Sequence, residues 1–296
     1  MKDTTSIPDG DFRPASGLEP RHPEPQERAF ARPGVTPKEE NDQLTALFEE
    51  AWNRNPGLRH EEWFTFADYP ARIRIVGHGL AKDVFRAFQH LARSGEAPDP
   101  ALYINLWDQK ETGLGIDGLR PSEDLNAQGE TYVSEDGHVV VTARPQTRTA
   151  FQRVERIMVG WVADHGHLTQ YEIGRPLHSE MMLWHKDRDV QAIHAGFVSR
   201  NGDGVLFGGP GGAGKSTTAL TCLKAGFEYM GDDYVGLKAL GGGEYEGHSL
   251  FCSTHLEPKH LKRFPYLKEF AIPGRLPRED KSLVLLSEVL PGGLSR

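Results

Sequence analysis

A run of eight residues in the last third of the chain has the composition and spacing of a phosphate-binding loop. It reads Gly209, Pro210, Gly211, Gly212, Ala213, Gly214, Lys215 and Ser216. Glycine-rich backbone lets successive N–H groups point toward one anion, and the dipole of a following helix adds positive potential. In this pattern the lysine reaches the terminal phosphates and the serine hydroxyl binds Mg²⁺. The run therefore predicts a site for a nucleoside triphosphate, with Thr217 as a further contact.

The segments on either side of this loop are those that such a loop requires. Residues 204–208 form a short apolar run typical of a buried strand, and residues 217–225 continue as a helix that Gly226 closes. Residues 191–200 precede the 204–208 strand across a short Asn/Gly/Asp segment, which predicts a β-hairpin. The alternative is a glycine-rich turn without a ligand, but such a turn has no need of a Lys-Ser pair at this spacing.

Two carboxylates follow the next predicted strand, residues 227–231. Asp232 and Asp233 then lie at the strand end, where a phosphoryl-transfer site takes its second Mg²⁺ ligand. Neighbouring strand residues point to opposite faces, so one aspartate can approach the metal and the other can take a proton from an attacking hydroxyl. His194 begins the upstream strand and could reach the same end of the sheet. A solvated Asp-Asp turn and a structural histidine are the alternatives.

Together, His194, the glycine-rich loop and the Asp232-Asp233 pair resemble the core of the HPr kinase/phosphorylase family and its looser relatives. The resemblance covers residues 190–237, about a sixth of the chain. It implies an α/β fold in which a P-loop nucleotide domain of the HPr kinase/PEP carboxykinase type follows a mixed α+β N-terminal domain.

The same resemblance implies a role for each matched residue. Ser216 and Asp233 would hold Mg²⁺, and Asp232 would act as the base toward a serine hydroxyl. His194 would support Asp232, and Lys215 would orient the phosphates for transfer. The implied activity is an ATP-dependent phosphotransferase that moves the γ-phosphate to a hydroxyl of a peptide, a protein or a small molecule, with ATP and Mg²⁺ bound.

One family feature is missing from the sequence, and it leaves other functions open. No Glu-x-Arg-Gly run follows the aspartates, so a basic residue such as Lys281 or Arg278 would have to replace its arginine; the alternative is a solvated charged loop. A nucleotide-binding regulatory or assembly protein that transfers no phosphate is the second candidate function. A carboxykinase-like enzyme acting on a small carboxylic acid is the third, and it would need arginines around the cleft.

Length and composition limit the class of protein. The chain has 296 residues, 38% of them hydrophobic, and a formal net charge of −8, which argues against a general nucleic-acid binder. No stretch approaches the apolar length of a transmembrane helix, and the first residues lack the apolar core of a signal peptide. Cys222 and Cys252 form neither a disulfide framework nor a metal-binding spacing. We expect a cytoplasmic protein that binds no membrane.

Composition also suggests a division of the chain. Residues 1–42 are rich in proline and poor in periodic apolar residues, which predicts a disordered tail. Residues 43–189 would form the mixed α+β domain and residues 190–296 the nucleotide domain. The family continues into further strands where this chain stops, so the nucleotide domain is expected to be truncated, with a free strand edge that favours a homo-oligomer.

Periodicity predicts the elements of the first domain. A helix is expected to begin at Asn41-Asp42 and to bury Leu44, Leu47, Phe48 and Trp52. Strands are expected at residues 72–76, 102–107, 131–133, 139–141 and 156–162, and helices at residues 79–93 and 175–189. This pattern lacks the regular βαβ alternation of the next region.

Overall fold

A computed structural model describes residues 35–116, 129–276, 279–290 and 294. These residues belong to a compact unit that spans Ala31–Arg296. The proline-rich part of the expected tail, up to residue 34, lies outside the described residues. Residues 37–42 of that expected tail are helical, so the ordered chain begins earlier than the sequence indicated.

The first helix, α1 (Pro37–Arg54), begins with a capping box. The Thr36 hydroxyl accepts a hydrogen bond from the Glu39 backbone N–H, and the Glu39 carboxylate accepts one from the Thr36 backbone N–H. The N-cap predicted at Asn41-Asp42 is therefore wrong, because Thr36 already satisfies the free N–H groups and Pro37 fits the first helical position. The predicted apolar face of this helix is confirmed at Leu44 and Phe48, which are buried.

A seven-stranded mixed sheet forms the largest layer, in the order β1-β2-β3-β7-β6-β5-β4. Strands β2, β3 and β7 are parallel to one another, and the other neighbours are antiparallel. Helix α1 packs on β5, β6 and β7. The elements are β1 (Arg59–Phe66), β2 (Tyr69–Val76), α2 (His78–Phe88), β3 (Leu102–Asp108), α3 (Gln109–Thr112), β4 (Glu130–Val133), β5 (Val139–Ala143), β6 (Thr147–Gln152) and β7 (Ile157–Val162).

The five predicted strands of this region are confirmed as β2, β3, β4, β5 and β7, and α2 is confirmed with an added 3₁₀ turn, Gln89–Leu91. A regular βαβ alternation was not expected in this region, and among its described residues β2, α2 and β3 form a βαβ unit with parallel strands. Strands β1 and β6 were not predicted. Strand β1 carries the exposed charged residues Glu61 and Glu62 ahead of its buried ones, whereas β6 is buried and its polar residues include Arg148, which pairs with Glu40 of α1.

Three small antiparallel sheets follow. Their strand orders are β10-β9-β11, β13-β12-β8 and β14-β16-β15. The elements are α4 (Gln170–Gly174), α5 (His178–Lys186), β8 (Val190–Ile193), β9 (Ala195–Arg200), β10 (Asp203–Gly208), α6 (Lys215–Lys224), β11 (Glu228–Gly231), β12 (Val235–Gly241), β13 (Glu244–Ser249), β14 (Ser253–Leu256), α7 (Pro258–Leu261), β15 (Ile272–Pro273), β16 (Ser282–Leu285) and α8 (Leu286–Val289).

The hairpin predicted ahead of the glycine-rich loop is confirmed as β9 and β10. Its turn places Asn201 and Gly202 at φ +56° and +87°, which is the conformation that a two-residue hairpin turn requires. The strand expected over residues 191–200 is divided at His194, because β8 pairs with β12 while β9 pairs with β10 and β11.

Buried side chains from both ends of the chain share one core. The largest apolar cluster contains Phe64 and Phe88 from the first half together with Leu250, Phe251 and Leu283 from the second. The division at residue 190 stays a prediction. The architecture is α/β with a large mixed sheet, and none of the described helices is long and apolar enough to cross a membrane.

Candidate nucleotide-binding site

The glycine-rich loop and the two aspartates meet because of the connection between β10 and β11. Both strands are antiparallel to β9, which lies between them, so they run in the same direction. Helix α6 makes the crossover from one to the other. The carboxyl ends of β10 and β11 therefore lie at the same edge of the sheet, and the loop leaves one of them while Asp232 and Asp233 leave the other.

The apolar sequence of β10 predicted a buried strand, but the structure shows that β10 is exposed. Val205 is 54% exposed and Leu206 is 40% exposed. Among the described strands β10 pairs with β9 alone, so it forms the edge of its sheet. An apolar run of this length indicates a strand but does not fix the position of that strand in the sheet.

The loop has the backbone conformation that its glycines allow. Gly212 and Gly214 have φ of +81° and +94°, and Gly214 is the residue before the first turn of α6. A Cβ atom built at either residue, or at Gly211, would meet no atom within 4 Å. Gly212 and Gly214 are therefore needed for backbone conformation, and the space beside all three glycines is open to a ligand.

The Lys215 ammonium group lies over the loop. Its Nζ donates hydrogen bonds to the carbonyl oxygens of Gly209, at 3.0 Å, and Pro210, at 3.4 Å. The side chain is buried. The predicted helix is confirmed as α6, and Gly226 follows its C-terminus at φ +85°, as expected for a C-terminal glycine.

Asp232 lies in a buried, hydroxyl-rich environment. It is 3% exposed, and its Oδ2 accepts a hydrogen bond from the Thr254 hydroxyl. Burial raises the pKa of Asp232 to about 6, although hydrogen bonds from Thr254 and Ser216 act in the opposite direction. The carboxylate thus lies beside the serine of the glycine-rich loop, and both groups offer the oxygen ligands that Mg²⁺ prefers.

Asp233 lies in a different, cationic environment. Its Oδ2 is 2.5 Å from Nη1 of Arg175, and its Oδ1 is 3.0 Å from Nε2 of His194. The structure thus places His194 against Asp233, where the sequence predicted support of Asp232. The physical reason is the break between β8 and β9, which turns the His194 side chain onto the Tyr234 ring, with centroids 5.4 Å apart.

These groups line one open cavity of about 570 Å³. Residues from α7, β14 and the segment before β16 line the same cavity. Lys281 lines the cavity, as its predicted contribution required, whereas Arg278 lies outside the described residues. The lining residues are Tyr171, His194, Gly211, Gly212, Gly214, Lys215, Ser216, Thr217, Thr218, Asp232, Asp233, His255, Glu257, His260, Arg263 and Lys281.

One wall of the cavity is an uncharged aromatic pair. The rings of Tyr171 and His255 stack with centroids 4.4 Å apart. Burial and, to a smaller extent, the nearby Arg175 guanidinium lower the pKa of His255 to about 4, so this histidine is neutral at physiological pH. A flat neutral surface of this kind suits a planar ring of a ligand.

Sequence reasoning missed several residues of the cavity. Arg175 was assigned only to the start of a helix, and Thr254 and Arg263 were given no role. Their contacts connect segments far apart in the chain, such as the 58 residues between Arg175 and Asp233. The Arg175 guanidinium also lies over two aromatic rings, of which Tyr171 is local in sequence while Tyr234 is distant.

Comparison with known proteins gives no further assignment. No protein-family model matches the chain, and a search of curated proteins finds no match. The site is therefore defined by the loop geometry, the unlike environments of Asp232 and Asp233, and the cationic cavity wall.

Proposed function

We propose that the protein is an ATP-dependent phosphotransferase of the HPr-kinase-like type, acting on a hydroxyl group. The observation that supports this most directly is the placement of Asp232 and Asp233 at the mouth of the glycine-rich loop, in one cavity with Lys215. The finer fold assignment, a P-loop domain of the HPr kinase/PEP carboxykinase type, belongs to the same proposal.

The loop and Lys215 bind the polyphosphate in this proposal. The N-terminus of α6 and the loop amides attract the β- and γ-phosphates, and Lys215 exchanges its bonds to the loop carbonyls for bonds to phosphate. Lys281 and Arg263, which line the same cavity, add positive charge for the transferred group in this proposal.

We assign the two aspartates to roles opposite to those that the family resemblance implied. Ser216 and Asp232 would hold Mg²⁺, because they adjoin one another and a buried carboxylate with a raised pKa gains most from a cation. When bound, the metal ion neutralises charge on the β- and γ-phosphates. Asp233, with His194 beside it, then faces the acceptor.

The transfer step follows from these positions. The acceptor oxygen forms a bond to the γ-phosphorus, and the bond from that phosphorus to the bridging oxygen breaks, so ADP leaves with the electron pair. The acceptor proton passes to the Asp233 carboxylate. His194 and Arg175 hold that carboxylate in position through their contacts with its two oxygens.

The same contact with Arg175 favours a second candidate function. Both oxygens of Asp233 already have a partner, Oδ2 in Arg175 and Oδ1 in His194, and a carboxylate held in this way would suit a protein that binds nucleotide without transferring phosphate. A nucleotide-binding regulatory or assembly protein is therefore the alternative that the experiment must separate from a kinase.

The test uses the full chain with γ-labelled ATP, Mg²⁺ and a panel of serine-containing peptides and small hydroxyl compounds. We expect Lys215→Ala to lose nucleotide binding, and Lys224→Ala, in the last turn of the same helix, to retain it. Asp232→Asn should lose the Mg²⁺ dependence of nucleotide binding. Asp233→Asn should bind normally and transfer no label.

The outcomes separate the possibilities. The reverse pattern for the two aspartates would restore the roles that the family resemblance implied. Saturable nucleotide binding would support the regulatory protein if no label is transferred to any acceptor and ATP is not slowly hydrolysed by water. Unchanged nucleotide affinity in Lys215→Ala would overturn both.

A further inference from the structure

A second cluster of metal-binding side chains lies away from the cavity, where β13 meets the turn between β1 and β2. Glu246 and His248 are two residues apart on β13, so their side chains share one face of the strand. Asp68 belongs to the β1–β2 turn, where its φ is +69°. One ligand atom from each of the three side chains lies within 4.8 Å of the other two.

His248 provides an independent reason to consider a ligand. The residue is only 6% exposed, and its Nε2 atom makes no hydrogen bond with any described residue. The nearest carboxylate oxygen, Oε2 of Glu246, is 3.3 Å away but is not placed to form one. A buried ring nitrogen is normally paired, and a neutral imidazole presents its lone pair to a metal ion.

The neighbouring strand, β12, presents one charged side chain to this side of β13. The residue opposite His248 on β12 is Gly236, which has no side chain. The residue opposite Glu246 is Lys238, and its Nζ lies over the Tyr69 ring, 5.9 Å from the centroid. Lys238 is thus the cation that faces the cluster, but the described contacts include no ion pair between it and Glu246.

Another cluster of one aspartate, one glutamate and one histidine, Asp108, Glu111 and His165, has its polar groups paired within the protein. Asp108 accepts hydrogen bonds from both the backbone N–H and the Nδ1 of His165. Glu111 accepts from the N–H groups of His78 and Gly79, at the start of α2. These groups hold the helix in place, and they leave no unpaired buried ligand comparable with His248.

We propose that Asp68, Glu246 and His248 form a binding site for a divalent first-row transition metal ion such as Zn²⁺ or Mn²⁺. One imidazole nitrogen with two carboxylate oxygens suits these ions, whereas Mg²⁺ and Ca²⁺ prefer ligand sets made of oxygen alone. Such an ion ties the β1–β2 turn to β13, two segments that are more than 170 residues apart in the chain.

The test is a calorimetric titration of the nucleotide-free full chain with Zn²⁺. Other histidines, such as the contacting pair His60 and His78, offer further imidazole nitrogens to Zn²⁺, so the number of equivalents is measured together with the affinity. We expect Glu246→Gln to lose one equivalent, or to bind it about 10-fold or more weakly, since even outer contacts of a metal contribute at that level. Glu244→Gln, on the same strand and outside the cluster, should bind as the wild type does.

Co²⁺ identifies the nitrogen ligand. The visible absorption of the Co²⁺ form should change in His248→Gln and stay unchanged in Glu244→Gln, and circular dichroism checks that each variant is folded. Equal Zn²⁺ stoichiometry and affinity in wild type and Glu246→Gln would overturn the proposal. So would a Co²⁺ spectrum that is the same in wild type and folded His248→Gln.

Discussion

At the scale of single residues, the two adjacent aspartates show how strongly environment separates identical side chains. Asp232 is buried among hydroxyl groups, while Asp233 is held between a guanidinium and an imidazole. Since successive residues at a strand end point in different directions, the two carboxylates meet different partners, although both line the cavity. This difference in environment is the reason that we assign metal binding to Asp232 and proton transfer to Asp233.

Asp232→Asn should stabilise the fold at high pH. Burial raises the pKa of Asp232 from 3.8 to about 6, so the folded state holds this proton more tightly than the unfolded state does. The free energy of unfolding therefore falls as pH rises between those values, and the cost of the buried charge is complete above about pH 6. A pKa change of this size corresponds to about 3 kcal/mol.

Urea unfolding near pH 8 and near pH 4, without Mg²⁺ or nucleotide, measures this effect. We expect Asp232→Asn to gain stability near pH 8 and little near pH 4. Asp233→Asn is the control, since it removes the partner of Arg175 and should be destabilised. A loss of stability in Asp232→Asn that is the same at both pH values would contradict the burial argument.

At the scale of elements, helix α1 is attached to the large sheet by a buried ion pair as well as by apolar contacts. Arg148 on β6 is completely buried, and its Nε contacts the carboxylate of Glu40 on α1. A buried pair adds little net stability over apolar residues, but removal of one partner leaves an uncompensated charge in the core.

We expect Glu40→Gln to lower the free energy of unfolding by about 3 kcal/mol or more, because Arg148 then stays buried without its counter-ion. Glu50→Gln is the matched control on the same helix. Glu50 pairs with Arg54 at 2.6 Å on the exposed face, so its loss should cost less than about 1 kcal/mol. Denaturant unfolding measures both, and equal effects of the two substitutions would show that Arg148 finds water or another partner.

At the scale of the whole molecule, the second half of the chain, which carries the candidate site, shares buried contacts with the first half. The largest apolar cluster joins residues 64–184 to residues 250–285. Arg86 on α2 also pairs with Glu288 on α8, with Nη2 2.8 Å from Oε2. A ligand that stabilises the glycine-rich loop should therefore stabilise the large sheet as well.

Tryptophan fluorescence can test this coupling, because all five tryptophans, at positions 52, 63, 107, 161 and 184, precede the β8 strand. A nucleotide at 100 times its Kd stabilises a fold by about 2.7 kcal/mol. For a chain of this size we expect MgATP to raise the fluorescence-detected Tm by about 5 to 10 °C. Lys215→Ala should show no increase.

The opposite result would also be informative. A fluorescence transition that MgATP leaves unchanged, beside a second transition that it shifts, would mean that residues 43–189 and 190–296 unfold independently. That outcome would support the two-domain division expected from the sequence and contradict coupling through the shared core.

Many elements of this protein could be predicted from its sequence because they depend on short-range interactions. Glycines at the positions of φ > 0, the Lys215-Ser216 pair and the apolar periods of α6, β9 and β10 are all short-range features, and the structure has the elements that they predicted. Features that depend on how elements pack were predicted less well. The exposure of β10 is an example, because an edge strand and a central strand can share one apolar sequence.

The sequence by itself determined the glycine-rich loop, the helix that follows it and the presence of two carboxylates after the next strand. Only the tertiary structure decided that Asp232 lies beside Ser216, that Arg175 and His194 hold Asp233, and that His248 is buried beside Asp68. The physical reason is range. Backbone conformation follows from neighbours a few residues away, whereas the partners of a charged side chain come from segments that only the folded chain brings together.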